Sequence, residues 1–176
     1  MQIIDRDTMD FLDVIMSRRS IRKYRHNKVP EDHVKKILEA AMNAPSRKNE
    51  RPWHFVIIDK REILDKIPSF HPNSKMLFEA PMAILVAGDL NISRDIFITI
   101  NCSAATENIL LAAHSLGLGA CWLGVYPDEE RVNGIKEILH LPENIFPVSL
   151  ISIGYPDEGK PRINRFEENR IHYNKW

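Results

Sequence analysis

Apolar residues recur at helical spacing in VPEDHVKKILEAAMNAPS, where Val34, Ile37, Leu38 and Ala41 share one stripe. Pro30 and Glu31 suit the first turn of that helix, and Pro45 stops it. TMDFLDVIM, residues 8–16, keeps the same period over a shorter span and predicts a helix capped by Thr8 or Asp7. KREILDKI, residues 60–67, predicts a helix ended by Pro68, and SFHPNSK, residues 69–75, a loop. Residues 94–116 carry apolar side chains on nearly every face, which predicts a long helix, central or at a subunit interface, closed by Gly117. DEERVNGIKEIL, residues 128–139, predicts a helix with acids in its first turn, where they complement the dipole. Short β-branched, aromatic or apolar runs predict strands at residues 53–59, 81–89, 119–125 and 146–156. The tail, residues 157–176, is polar and ends in RIHYNKW.

Helices and strands alternate without a strict βαβ rhythm, which points to an α+β domain with helices packed around one sheet. The 176 residues suit one domain with an extended arm. Residues 1–156 form the domain. The tail 157–176 has too few apolar residues for a core of its own, so a second subunit is the surface expected to receive it. The N-terminal stretch mixes acids with its apolar residues, unlike a secretory signal or a transit peptide. No uncharged apolar run reaches the roughly 18 residues of a membrane span, so none is expected. Two cysteines, Cys102 and Cys121, make no disulfide framework, and a reducing, cytoplasmic setting follows.

Charge changes this picture at one place. The chain balances 24 basic against 24 acidic residues, which argues against a general nucleic-acid binder. Yet SRRSIRKYRHNK, residues 17–28, is wholly basic. Charge runs are ordinarily solvated faces. Here Ser20 stands among the arginines, and guanidinium forks with a hydroxyl are the donors that a phosphate dianion takes. GLGACWLG, residues 117–124, precedes a strand instead of joining a strand to a helix, so it fails as a dinucleotide fingerprint. The seven histidines and two cysteines lack paired metal-ligand spacing, and each reads as a buried thiol or a surface imidazole. No serine has a nucleophile-elbow context. A flavin-free protein using the cluster to hold an anionic partner such as RNA stays open.

Five segments together resemble the FMN-dependent nitroreductase family: SRRSIRKY (17–24), AAMNAPSRKNERPWHFVII (40–58), EAPMAILVAGD (79–89), CSAATENILLAAHSLGLGACWLGVYP (102–127) and ISIGYP (151–156). The resemblance implies a nitroreductase-like fold, with a central mixed or antiparallel sheet flanked by helices. It also implies an intertwined homodimer whose C-terminal arm lies on the partner, with FMN at the interface. Arg18, Arg19 and Ser20 then grip the phosphate and ribityl chain, and Arg22 lies beside the pyrimidine side of the ring. Pro45, Ser46 and Asn49 come from the partner. Leu123 and Gly124 line the ring, with a backbone N–H aimed at flavin N5. Arg165 resembles the second phosphate-binding cation, with Lys160 and Arg162 as weaker rivals. Asn73 and Lys75 stand where an Asn and a Lys of larger relatives approach the flavin. Lys48, Glu50, Asn101 and Glu107 depart from the residues common at those places, which bears on substrate preference more than on cofactor binding.

The activity so implied is hydride transfer from NADH or NADPH through FMN to nitroaromatic, quinone or similar acceptors. One slot serves both substrates in turn, with ping-pong kinetics and no protein acid, base or nucleophile. Related reactions, flavin fragmentation and reductive dehalogenation, and a flavin-storage role fit the same residues.

Overall fold

The computed structural model describes residues 10–176. Five helices and four strands follow one another: α1 (Phe11–Ser17), α2 (Glu31–Met42), β1 (Trp53–Ile58), α3 (Arg61–Leu64), β2 (Met82–Asp89), α4 (Asp95–Ser115), β3 (Gly119–Gly124), α5 (Glu129–Ile138) and β4 (Ile145–Gly154). The strands form one sheet in the order β1-β2-β4-β3, every pair antiparallel. An isolated parallel bridge, Ser20 to Ala120, adds the basic segment along the outer edge of β3.

Hydrophobic alternation explains the layers. On one face Met82, Ile84 and Val86 of β2 pack with Ile37 and Ala41 of α2 and with Ile98, Cys102, Ala105, Ile109 and Ala113 of α4. On the other, Ala83, Leu85 and Ala87 pack with Leu64, Ile67, Leu77 and Ile135. β2 is therefore buried on both sides, as its unbroken apolar run requires. α4 is long and apolar enough to cross a membrane by length and composition. Its buried stripe against the sheet accounts for that hydropathy, while Ile96 and Ile100 stay exposed. Gly117, at φ 74°, ends it with paired bonds, Leu118 N–H to Ala113 O and Gly117 N–H to His114 O.

Two expectations shift, at 60–67 and at 69–75. The predicted helix at 60–67 is a single α-turn, and Pro68 lies inside a following 3-10 turn, Ile67–Ser69, whose first turn tolerates a residue without an N–H. The loop expected at 69–75 leads into a 3-10 turn over Lys75–Phe78. α2 ends at Met42, before Pro45. Asp10 occupies the N-cap of α1, and the cap expected at Asp7 or Thr8 lies outside the described residues.

The basic segment is zipped in on both sides. Ile21 N–H donates to Ala120 O at 3.0 Å, Arg25 N–H to Tyr155 O at 2.9 Å, and Asp157 N–H to Lys23 O at 2.9 Å. A Cβ on Gly119 would sit 2.7 Å from Ile21 Cγ2. Gly119→Ala should therefore cost about 1–3 kcal/mol, as overpacking does. The readout is the denaturant midpoint, and an unchanged midpoint would show that Ile21 is not held against β3.

Candidate functional site

The zipped segment feeds two recesses. At its start a groove of about 600 Å³ is lined by Arg18, Arg19, Arg162 and Arg165 with Ile15, Met16 and Phe166. At its end a slot of about 440 Å³ is lined by Arg22, His71, Asn73, Lys75, Trp122, Leu123, Gly124 and Arg131. Among the described residues no carboxylate lines either recess. The five residues Arg18 to Arg22 make four Cα–Cα steps, which reach roughly 13 Å when extended.

Arg18 faces Glu107 of α4 at 3.7 Å, and Arg19 Nη1 donates to Pro161 O. Lys160 Nζ donates to Ser20 O at 2.6 Å and pairs with Glu158 at 3.2 Å. Glu158 Oε1 accepts from Arg22 N–H at 2.6 Å. That bond, with Lys160 beside it, holds the Glu158 carboxyl below its usual range. Of the two rivals to Arg165, Lys160 is thus occupied by Glu158 and Arg162 by Asp13 at 3.2 Å. Arg165 lines the groove without an ion pair to a described residue.

Strand register prepares the slot. Ala120 O bonds outward to Ile21, so the backbone groups of Ala120, Trp122 and Gly124 point away from β4 and toward the open edge. β4 carries a bulge here, because Val86 pairs with Ser149 and Ala87 with Pro147, leaving Val148 as the extra residue. Val148 O then takes both Val125 N–H at 3.2 Å and Tyr126 N–H at 3.1 Å, which ends β3 at Gly124. A Cβ on Gly124 would meet nothing within 4 Å. The Gly124 N–H lies on the outer edge of β3 by strand parity, and Gly124 lines the slot together with three cations, Arg22, Lys75 and Arg131.

Pro45, Ser46 and Asn49 lie elsewhere, beside the first half of α4. Ser46 Oγ accepts from Arg51 N–H at 3.0 Å, and the buried Asn101 side chain accepts from Arg47 N–H at 3.0 Å. Lys48, Asn49 and Arg51 all hold positive φ, at 49°, 57° and 46°. Each costs roughly 1–2 kcal/mol for a residue with a Cβ. This segment lines neither recess of its own chain.

Three features escape the sequence reading. His71, read as an ordinary surface imidazole, is fully buried. Arg131 enters the slot from α5, and its only sequence signal is the Asp128 cap three residues earlier. Tyr24 is buried, its hydroxyl donating to Ile21 O at 2.6 Å and lying 2.8 Å from Ser152 Oγ, and burial pushes its pKa above the ordinary phenol range. The thiols behave as expected: both are free and buried, and desolvation pushes Cys102 up to about 12.

Two imidazoles make the fold acid-sensitive. Burial, then Arg131, lowers the His71 pKa; burial, then Arg18, lowers that of His114, which lies 2.8 Å from Ser17 Oγ. Below about pH 6.5 the unfolded chain takes up protons at these positions before the folded one does. Stability is therefore full above that pH and is lost as pH falls toward the depressed folded values. The denaturant midpoint should fall between pH 7.5 and pH 5.5, and His71→Gln and His114→Gln should each shrink the fall. A fall of the same size in both variants would contradict the buried neutral state.

The sequence pattern of the nitroreductase family matches residues 15–155. A protein of Methanothermobacter thermautotrophicus, named as an NADH dehydrogenase/NAD(P)H nitroreductase, is 50% identical over 169 residues, covering 96% of this chain and 88% of its own. A crystal structure from Bacteroides thetaiotaomicron with the same naming superposes with a TM-score of 0.91 at 42% identity, over 94% of this chain and 98% of that one. The FMN-dependent nitroreductase of Clostridium difficile R20291 superposes at 0.88 with 33% identity, over 94% and 99% of the two chains. On sequence and fold together, this chain belongs to the nitroreductase family.

Proposed function

We propose that the chain is an FMN-dependent oxidoreductase that carries electrons from NADH or NADPH to nitroaromatic, quinone or similar acceptors, and that it works as a homodimer. One observation carries this reading: a single basic strand joins a groove of four guanidinium groups to a slot where a strand-end N–H faces the open sheet edge. A mononucleotide with a phosphate at one end and a flat polar ring at the other has matching chemistry at both ends. Relatives named for FMN support it: the C. difficile nitroreductase, and a Bacillus subtilis FMN reductase [NAD(P)H] at 24% identity over 90% of this chain.

In this reading Arg18, Arg19 and Arg165 hold the phosphate, and Ser20 the ribityl chain. Arg22 lies on the pyrimidine side of the ring, with Leu123 and Gly124 along its edge. Bound there, FMN supplies two-electron redox chemistry. Arg22 offers a permanent positive charge where reduction leaves a negative one. Donor and acceptor use that one slot in turn, which makes the kinetics ping-pong.

The dimer rests on exposed apolar residues. Phe11 and Met16 of α1, Ile96 and Ile100 of α4, and Phe166, Tyr173 and Trp176 of the tail all face outward. Scattered apolar residues are ordinary on a surface, but a set this dense marks an interface. Residues 1–156 form the FMN-binding domain, and residues 157–176 form an arm that packs on the partner. Pro45, Ser46 and Asn49 of one subunit then close over the flavin of the other, which gives the strained segment 48–51 a role. The setting is cytoplasmic, with no membrane or nucleic-acid partner.

The purified protein should be yellow, sediment as a dimer, and oxidise NADH or NADPH with nitrofurazone or menadione, giving parallel double-reciprocal lines. A colourless protein that takes up no added FMN would end this reading; bound FMN without turnover would indicate storage. A charge-assisted hydrogen bond contributes about 1.5–3 kcal/mol. Arg18→Ala and Arg165→Ala should thus weaken FMN binding roughly ten- to hundredfold, and Arg162→Ala much less. Arg22→Ala should lower the flavin potential by some tens of millivolts. A potential that rises in that variant would remove Arg22 from its place.

A further inference from the structure

Two side chains from separate elements converge on one atom at the edge of the slot. His71 Nε2 lies 3.0 Å, and Arg131 Nη1 3.1 Å, from Gly124 O. A carbonyl oxygen only accepts, so the His71 proton sits on Nε2 and is donated. The other ring nitrogen, Nδ1, is buried and has no hydrogen-bond partner among the described residues. Both residues are anchored to their own elements through the backbone. His71 N–H bonds to Ile67 O at 3.0 Å at the end of the 3-10 turn. Arg131 is tied to Asp128, its backbone N–H donating to Oδ1 at 3.2 Å and its Nε facing Oδ2 at 3.2 Å.

The arrangement is costly. An apolar side chain would fill the place of His71 without leaving a ring nitrogen orphaned, and a buried imidazole beside a guanidinium disfavours its own protonation. What the two groups secure is the Gly124 backbone. Gly124 ends an edge strand as the last residue in register with β4, opposite Ser149. It has no side chain to limit φ and ψ, and no packing would touch a Cβ there. Two donors on its carbonyl fix ψ and, through the short strand end, the direction of its N–H.

We propose that His71 and Arg131 are positioning residues that clamp the Gly124 carbonyl and thereby hold the Gly124 N–H pointing into the slot, toward the redox-active ring of the cofactor. The inference rests on the FMN reading for its consequence, but the clamp itself is a property of the protein alone. It makes His71 a contributor to rate without contact with the phosphate, and it ties α5 and the 67–71 turn to the end of β3.

The test compares wild type with His71→Leu, Arg131→Leu and His71→Gln, whose amide can still donate. In FMN-free protein, the 15N order parameter of Gly124 should fall from the rigid value of about 0.85 to below about 0.6 in both leucine variants, and His71→Gln should restore most of it. In FMN-loaded protein, both leucine variants should reduce at saturating NADH at least tenfold more slowly, with FMN and NADH dissociation constants within threefold of wild type. Should His71→Leu fail to fold, Arg131→Leu, which changes a partly exposed position, decides the matter alone. A wild-type order parameter for Gly124 in Arg131→Leu overturns the clamp. A tenfold loss of FMN affinity without a change in order parameter also overturns it. A wild-type protein that takes up no FMN sinks the cofactor reading instead, while the FMN-free order parameters still judge the clamp.

Discussion

One backbone hydrogen bond, from Ile21 N–H to Ala120 O, organises the molecule around its site. It lays an exposed, like-charged segment along the edge of β3, a place that isolated arginines would avoid by mutual repulsion. The bond is backed by Ile21 packing on Gly119, by Tyr24 inserted between Ile21 and Ser152, and by the bonds to Tyr155 and Asp157 beyond β4. With the segment fixed, Arg18 and Arg19 face one recess and Arg22 the other. The same bond sets the parity of β3, so that Gly124 turns its N–H outward.

Electrostatics follow from that placement. The whole chain is neutral, yet among the described residues the linings of both recesses hold cations and no carboxylate. The nearby acids are spent behind the arginines: Glu158 on the Arg22 backbone and Lys160, Glu107 on Arg18, Asp13 on Arg162. These pairs orient the basic side chains and leave the recesses positive. Most are partly exposed, so their own contribution to stability is small. Their value lies in geometry.

Strain and irregularity gather where function is expected. The β4 bulge at Val148, the run of positive φ at Lys48, Asn49 and Arg51, and the orphaned Nδ1 of His71 are departures from rules that the rest of the sheet obeys. The bulge and His71 lie at the end of β3, and the strained run carries Asn49 next to Ser46. A core built from the continuous apolar run of β2 and the buried stripe of α4 can carry such local costs.

Local patterns were enough for the elements that bury a face. Period and punctuation marked α2, α4, α5 and all four strands, because each must present a continuous apolar surface to the sheet. They overran at 60–67, where one α-turn and a 3-10 turn stand in place of a longer helix, and the loop at 69–75 runs into a further 3-10 turn, because burial there comes from neighbours, not from period. For the site, the basic run with its serine was legible as a set of donors suited to an anion, since guanidinium chemistry is carried by the residues themselves. The ion pair between Arg162 and Asp13 was not, because it depends on where Asp13 lies in space. Nor were His71 and Arg131, whose meaning comes from a shared acceptor 53 and 7 residues away in the chain. Sequence determined which groups the protein owns and which faces it must bury; only tertiary structure decided which of them meet, because convergence on one carbonyl oxygen is a property of strand parity and packing, not of spacing along the chain.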